Sequence, residues 1–476
     1  MHIRGESAVP KNFRANCLML AVSVIAVVTW VAIVEGGLLS SFYISDSVNY
    51  MRLAENLKAG NWMNQHGLAG QDGWFAVWPV GYPALLAAFS GVLRLEPYWA
   101  SKVFSVICCI SLLTLFWKCA RRQFPVLALM LVNLAYLKIS RGSLSEQPFI
   151  VLMACLGFAV DRVVQSEGAR IGRDGIGRIA LLVLIFIGLF ILRYVGAIAP
   201  VWAGVAVVVA SLPGCKTDCF GVLIRRALEV VIASIVAWVF EGGYLLMNKM
   251  MCGCASGYER PAAPESSEEL VRMTLSAEFH ELQAYGICLF LGFLLVLFYR
   301  MHIAKNDKNE LLESSSATCL SGSVFIAVGV MFHATMIVMR SRHFFNPLGF
   351  RLLYPGTFLM AIGCVLIISQ KLKIDWMTML GLLPRRAVAG FCVVLILFGG
   401  WLLHGELQLR GLCGLGVYGI GDPYQVVKKR VLEKYSAIPS GSDVKLQCDF
   451  DGEDFLLAYL RPDLIVSVTL PENEGR

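Results

Sequence analysis

Charge is scarce in this sequence. Asp, Glu, Lys and Arg make up 16% of its 476 residues, against about a quarter in an average soluble domain. A water-soluble chain of this length needs more polar cover than that. Also missing is any internal repeat or low-complexity tract, which removes the duplicated halves common among secondary transporters. No small-residue cleavage site follows the first apolar run, "CLMLAVSVIAVVTWVAIVEGGLL", so that run is read as a retained helix and not as a signal peptide. No RNA- or DNA-binding motif accompanies the net charge of +7. Its basic residues sit in short clusters between apolar runs, the pattern of membrane orientation, so nucleic acid is not expected as a partner.

Cysteine is plentiful at 15 copies, but a metal or disulfide pattern is not. Most copies, such as Cys108, Cys109, Cys155, Cys288 and Cys364, lie inside apolar runs and act as small apolar residues. Cys215 and Cys219 lack further ligands, and Cys413 and Cys448 share the tail without a spacing that decides their pairing. "CDFDGED" lacks the spacing of a calcium loop and reads as a solvated turn. No cofactor is indicated. A divalent ion is compatible with the reading below, but no ligand set calls for one.

What is abundant is apolar length. Hydrophobic residues make up 57% of the chain, and mean hydropathy is +0.66. At about 20 residues per span, the runs predict an all-α polytopic membrane protein of about 11 transmembrane helices. They fall near Cys17–Leu39, Pro97–Trp117, Phe124–Lys138, Leu144–Val164, Ile179–Leu192 and Val195–Leu212. Ala227–Met247, Tyr285–Tyr299, Cys319–Met339, Leu353–Gln370 and Ala387–Leu403 complete the set. Every second connection is basic, from Arg4, Lys11 and Arg14 through Lys118, Arg121 and Arg122 to Arg385 and Arg386. That alternation puts the N-terminus in the cytoplasm. Residues 1–404 then form the membrane domain, with long extracytoplasmic loops at 40–96 and 249–284. Residues 405–476 form a small extracytoplasmic region of mixed α/β character, with "YQVVKKRVLEKY" at helical spacing and "SDVKLQCDF" and "DLIVSVTL" as strands.

The polar residues at the outer ends of these runs are the candidates for chemistry. Asp46 opens a helix with an apolar stripe, Tyr50, Leu53, Ala54 and Leu57, suited to lying on the outer leaflet. On local sequence Asp46 is first an N-cap. A carboxylate at a lipid surface can equally take a proton from an acceptor hydroxyl, and the two roles are compatible. In "WPVGYPALL" two prolines bracket Gly81 and Tyr82 and bend the chain into an apolar helix. Trp78 and Tyr82 are there either as interface anchors or as a wall for a lipid chain or sugar. Glu146 in "SRGSLSEQPF" stands at a helix mouth, where the helix dipole stabilises it. Arg193 and Tyr194 occupy another mouth, in "ILRYVGAIAP". "MRSRHFFNPLGFRLLYP" gathers Arg340, Arg342, His343 and Arg351 on the side where basic clusters are disfavoured. An anionic partner such as a lipid phosphate would account for them.

Taken in order, Asp46 with Tyr50, "RLAENLKAGNW", "WPVGYPALLA", "SEQPF", "LRYVGAIAP" and "FRLLYP" resemble membrane glycosyltransferases of the GT-C type. The likeness is to the branch near protein mannosyltransferases and bacterial lipid-A and lipopolysaccharide sugar transferases. It implies a polyprenyl-phosphate-linked sugar donor and a glycan, lipid or protein acceptor. It also implies an inverting transfer in the bacterial inner membrane, with the first-loop aspartate, here Asp46, as base. Glu146 matches the acid of the "SE-P" turn, which shapes the pocket with Tyr50, Trp78 and Tyr82. Arg193 matches a basic residue after the fifth span. Arg340, Arg342, His343 and Arg351 fall where the donor phosphate is bound, and the choice among the arginines stays open. Many relatives carry a second acid after the aspartate, where this chain has Ser47. A transporter or flippase, and a membrane acyltransferase or ligase using His333 or His343, are the competing readings.

Overall fold

The computed structural model describes residues 13–35, 45–65, 73–166, 173–211, 220–256, 268–276, 320–342, 350–372 and 374–397, together with Ser266. In the tail it describes 429, 431–447, 457, 461 and 464–469. The expected Tyr285–Tyr299 span, His343, Cys215, Cys219, Cys413, Cys448 and the "CDFDGED" turn lie outside the described residues.

The apolar runs fold as helices, because a backbone in hydrocarbon must satisfy its own hydrogen bonds. Among the described residues eight helices are long and apolar enough to cross a membrane, or nine if one bent pair is a single span. In chain order they begin with α1 (Phe13–Thr29), continued by a π-helical turn at Trp30–Glu35, and α2 (Ser45–Lys58). A short hairpin of β1 (Asn64–Gln65) and β2 (Gly73–Trp74) leads to α3 (Gly81–Leu93) and α4 (Pro97–Cys119). Next come α5 (Phe124–Leu129), α6 (Leu134–Arg141), α7 (Glu146–Gln165), α8 (Arg173–Leu192), α9 (Ala199–Ser211) and α10 (Phe220–Cys252). Helix α11 covers 268–276. The series ends with α12 (Gly322–Arg342), α13 (Phe350–Lys371), α14 (Trp376–Leu382) and α15 over 385–397.

Two elements differ from the sequence expectation. Phe124–Lys138 is not a straight span: the helices of 121–132 and 134–141 meet at 60°. Asn133 causes the break, since its side chain accepts the Ala135 N–H at 2.7 Å and caps a new helix. Helix α10 is 33 residues long and runs through Lys249 to Cys252, past the expected loop start. At about 1.5 Å per residue it exceeds the hydrocarbon thickness, and its last turns are free to meet the first loop. "WPVGYPALLAAFSGVLRL" forms α3, whose Gly81, Tyr82, Pro83, Leu86 and Ser90 are buried while Val92 is exposed. It is the apolar helix expected after the two prolines, half-buried in the structure. A capped helix start stands at 266: Ser266 N–H donates to Glu269 Oε2 at 2.8 Å, and Glu269 N–H to Ser266 Oγ at 3.2 Å.

Helices α12 and α13 pack at backbone contact. A Cβ added at Gly329 would stand 2.6 Å from the Gly356 carbonyl oxygen, and one at Gly322 would stand 2.5 Å from that of Gly363. Small residues two turns apart on each helix allow this approach, the usual device where lipid removes any hydrophobic drive between helices. In the tail, Asp443–Gln447 pairs in parallel with Ile465–Thr469. Arg461 donates to the carbonyls of Tyr435 at 2.8 Å and Ile438 at 2.9 Å.

Candidate active site

Four charged side chains from four separate segments meet at one end of the bundle. Asp46 lies in the first turn of α2, where a carboxylate suits the helix dipole. It lies inside the helix and not ahead of it as a cap, and its Oδ2 accepts a hydrogen bond from Arg351 Nη2 at 2.7 Å. Arg351 starts the long apolar stretch of α13 and reaches a second acid, its Nε lying 3.1 Å from Glu146 Oε1. The same Glu146 oxygen is 2.7 Å from Arg193 Nη1. The order is acid, arginine, acid, arginine. Glu146 is 2% exposed at its side chain, while Asp46, Arg351 and Arg193 keep 16%, 14% and 20%. The group is therefore buried on the Glu146 side and open on the others.

Local sequence explains how each arrives. Glu146 is in the first turn of α7, where the dipole favours its charge. Helix α8 stops at Leu192, Arg193 is extended, and Tyr194–Ile198 form a 3₁₀ turn. Gly196 makes that turn fold tightly back, since a Cβ there would come within 2.3 Å of the Leu189 carbonyl carbon. Gly81 lets the start of α3 approach the same helix end, because a Cβ on it would stand 2.4 Å from Ile191 O.

An aromatic wall stands beside the charges. Tyr50 is one turn from Asp46 on the same face of α2. Its hydroxyl hydrogen-bonds Ser145 Oγ at 3.1 Å, next to Glu146. The Tyr50 ring meets Tyr82 edge-on at 5.0 Å and Trp78 at 5.7 Å, and Phe75 stacks on Trp78 at 5.2 Å. Burial, reinforced by the Asp46 charge, pushes the Tyr50 phenol above its ordinary value of 10.0, so it stays a hydrogen-bond donor at neutral pH.

The remaining candidates separate. Arg340 is buried at the end of α12, while Arg342 two residues later is exposed and has no ion-pair partner among the described residues. The Tyr194 hydroxyl is engaged by the first loop, donating to Ala76 O at 2.9 Å. Ser47, which follows Asp46, is fully buried. No group of three or more His, Cys, Asp or Glu that could hold a metal occurs among the described residues. Glu229, in α10, is held by Arg178 through two bonds of 2.8 and 2.6 Å. His333 lies between α12 and α13 with Nδ1 2.8 Å from Gly329 O.

Sequence reasoning missed Lys102 and Asn248. Lys102 is fully buried in α4; its ammonium donates to Arg141 O at 2.5 Å and Ser143 Oγ at 3.3 Å. It thus braces the turn that carries Ser145 and Glu146. A lysine inside the apolar "YWASKVFSV" was the available signal.

No protein-family model matches the chain, and no curated protein matches it in sequence. Among solved structures it is similar to ArnT from Cupriavidus metallidurans bound to undecaprenyl phosphate. The TM-score is 0.55 at 13% identity, over 94% of this chain and 85% of that one. The chain shares its fold with ArnT over nearly its whole length. An archaeal oligosaccharyltransferase, AglB from Archaeoglobus fulgidus, in complex with an inhibitory peptide and a dolichol-phosphate, aligns at TM-score 0.45. That alignment has 10% identity over 96% of this chain and 65% of that one, too loosely for argument. The chain is an integral membrane protein by its apolar helices. These helices form the scaffold whose end carries Asp46, Glu146, Arg193 and Arg351.

Proposed function

We propose that the chain is an inverting glycosyltransferase that moves a sugar from a polyprenyl-phosphate donor to an acceptor hydroxyl at the extracytoplasmic face of the bacterial inner membrane. The convergence of Asp46 and Glu146 on Arg351, with Arg193 beyond, carries this reading. Two carboxylates and two guanidiniums meet beside an aromatic wall, on a fold similar to that of ArnT, whose structure holds undecaprenyl phosphate.

The chemistry follows from the charges. The anomeric carbon of the donor is bonded to a phosphate oxygen, a good leaving group once its charge is held. Arg351 and Arg193 offer fixed forks of N–H donors for that charge. The acceptor oxygen attacks the anomeric carbon from the opposite side and its new C–O bond forms. The carbon–phosphate oxygen bond breaks with its electron pair going to the phosphate, and the hydroxyl proton goes to Asp46. In the empty site Arg351 neutralises Asp46. An arriving phosphate competes for that guanidinium and leaves Asp46 free to accept a proton. Tyr50, Trp78 and Tyr82 form the apolar side against which a sugar ring packs and from which water is excluded.

The test is transfer in membranes containing the chain and a labelled polyprenyl-phosphate sugar. Formation of a glycoside of inverted configuration supports the reading. Uptake of the sugar lipid without any glycoside replaces it with transport.

A further inference from the structure

The segment between β2 and α3 is tied at three points to helices far along the chain. Trp74 Nε1 donates to Asn248 Oδ1 at 3.0 Å. Asn248 Nδ2 in turn donates to Tyr194 OH and to Ala255 O, both at 3.0 Å. Tyr194 OH passes its own proton on to Ala76 O at 2.9 Å. Finally Val80 N–H donates to Tyr244 OH at 3.1 Å, and Tyr244 packs edge-on against Phe190 at 5.5 Å. Asn248 is fully buried and uses both ends of its amide. It is the hub where the end of α10 meets the first loop.

Two consequences follow from where these ties lie. The tethered segment includes Trp78, which stands against Tyr50, and Phe75, which stacks on Trp78. The other attachment is Tyr194, the residue after Arg193, and Arg193 holds Glu146. One dipeptide therefore contributes its arginine to the charged group and its tyrosine to the tether.

We propose that Asn248 is a positioning residue, which through Trp74 and Tyr194 holds segment 73–80 as a closed wall over the Asp46–Arg351–Glu146–Arg193 group. Its catalytic meaning rests on the glycosyl-transfer reading. With the wall in place, the donor sugar is shielded from water and attack is left to the acceptor hydroxyl. With the wall loose, water reaches the anomeric carbon, giving free sugar and polyprenyl phosphate.

The experiment compares wild type, Asn248→Ala, Asn248→Gln and Trp74→Phe, purified in lipid nanodiscs, by amide hydrogen exchange and by product analysis. Trp74→Phe deletes only the indole N–H and keeps most of the ring packing, so it tests the tie even if Asn248→Ala folds poorly. In Asn248→Ala and Trp74→Phe, exchange across 73–80 is expected to rise about tenfold, as for the loss of about 1.4 kcal/mol of local protection. Exchange in α4 should stay unchanged. The ratio of free sugar to glycoside is expected to rise in the same variants, and Asn248→Gln, which keeps the amide, should restore part of both. Unchanged exchange at 73–80 in Trp74→Phe overturns the proposal, as does a rise spread evenly over all helices. If no variant or wild type makes glycoside, the transfer reading fails while the exchange data still decide whether Asn248 holds the wall. If wild type makes glycoside and the ratio does not move, the positioning role alone fails.

Discussion

Arg351 lies between Asp46 and Glu146, with Nη2 2.7 Å from one carboxylate and Nε 3.1 Å from the other. Two different nitrogens of a single guanidinium serve two acids. A point charge cannot reproduce that. Arg351→Lys is expected to fold but to lose at least about tenfold in donor affinity, since bidentate contact is not conserved between Arg and Lys. Arg351→Ala should additionally lower stability by about 3 kcal/mol, because Glu146 stays buried and loses one of its cations. Binding of radiolabelled polyprenyl phosphate and thermal unfolding in detergent check both.

Glu146 is the more deeply buried acid, and its role is to hold Arg193 and Arg351 apart and in place. Glu146→Gln keeps the shape and removes the charge. Arg193 then loses its carboxylate and Arg351 keeps only Asp46, and the variant should unfold at lower temperature. Its transfer rate should fall more than its apparent donor affinity, because the arginines keep their charge but lose their alignment. Steady-state kinetics with the donor varied separates the two effects.

Tyr50 contributes a hydroxyl to Ser145 and a ring to the wall. Tyr50→Phe should cost about 0.5–1.5 kcal/mol and leave the ring contacts to Trp78 and Tyr82. The phenol is raised above 10.0 in the folded chain, so the unfolded state releases its proton first as pH rises. Its contribution to stability is complete below about pH 10 and declines above it. Unfolding measured across that range should show a steeper alkaline loss in wild type than in Tyr50→Phe.

Gly329→Ala tests the contact that sets α12 against α13. The added methyl meets backbone and not a flexible side chain, with the Gly356 carbonyl oxygen at 2.6 Å. The helices must separate at a cost of about 1–3 kcal/mol, and Arg351 near the start of α13 shifts with them. Lower thermal stability together with weaker donor binding is the expected pair of results.

Much of the site was legible because charge is so scarce. In a chain with 16% charged residues, Asp46, Glu146, Arg193 and Arg351 stand out where apolar runs end, and these four converge. The choice among Arg340, Arg342 and Arg351 was not legible. Helix α12 is apolar on all sides, so no stripe tells which way a residue near its end points. At about 100° per residue, Arg340 and Arg342 face nearly opposite ways, and the structure buries the first and exposes the second. The bend at Asn133 was hidden by an unbroken apolar run. The tie between Trp74 and Asn248 spans 174 residues, and nothing local to either residue announces it.

Asp46→Asn is the most direct test. The substitution keeps size and a hydrogen-bonding oxygen for Arg351 but removes the carboxylate proposed to take the acceptor's proton. With purified protein in nanodiscs and a labelled polyprenyl-phosphate sugar, the expected result is loss of glycoside formation by at least about a hundredfold, with polyprenyl phosphate still bound. An Asp46→Asn protein that folds normally and transfers sugar at the wild-type rate would contradict the account.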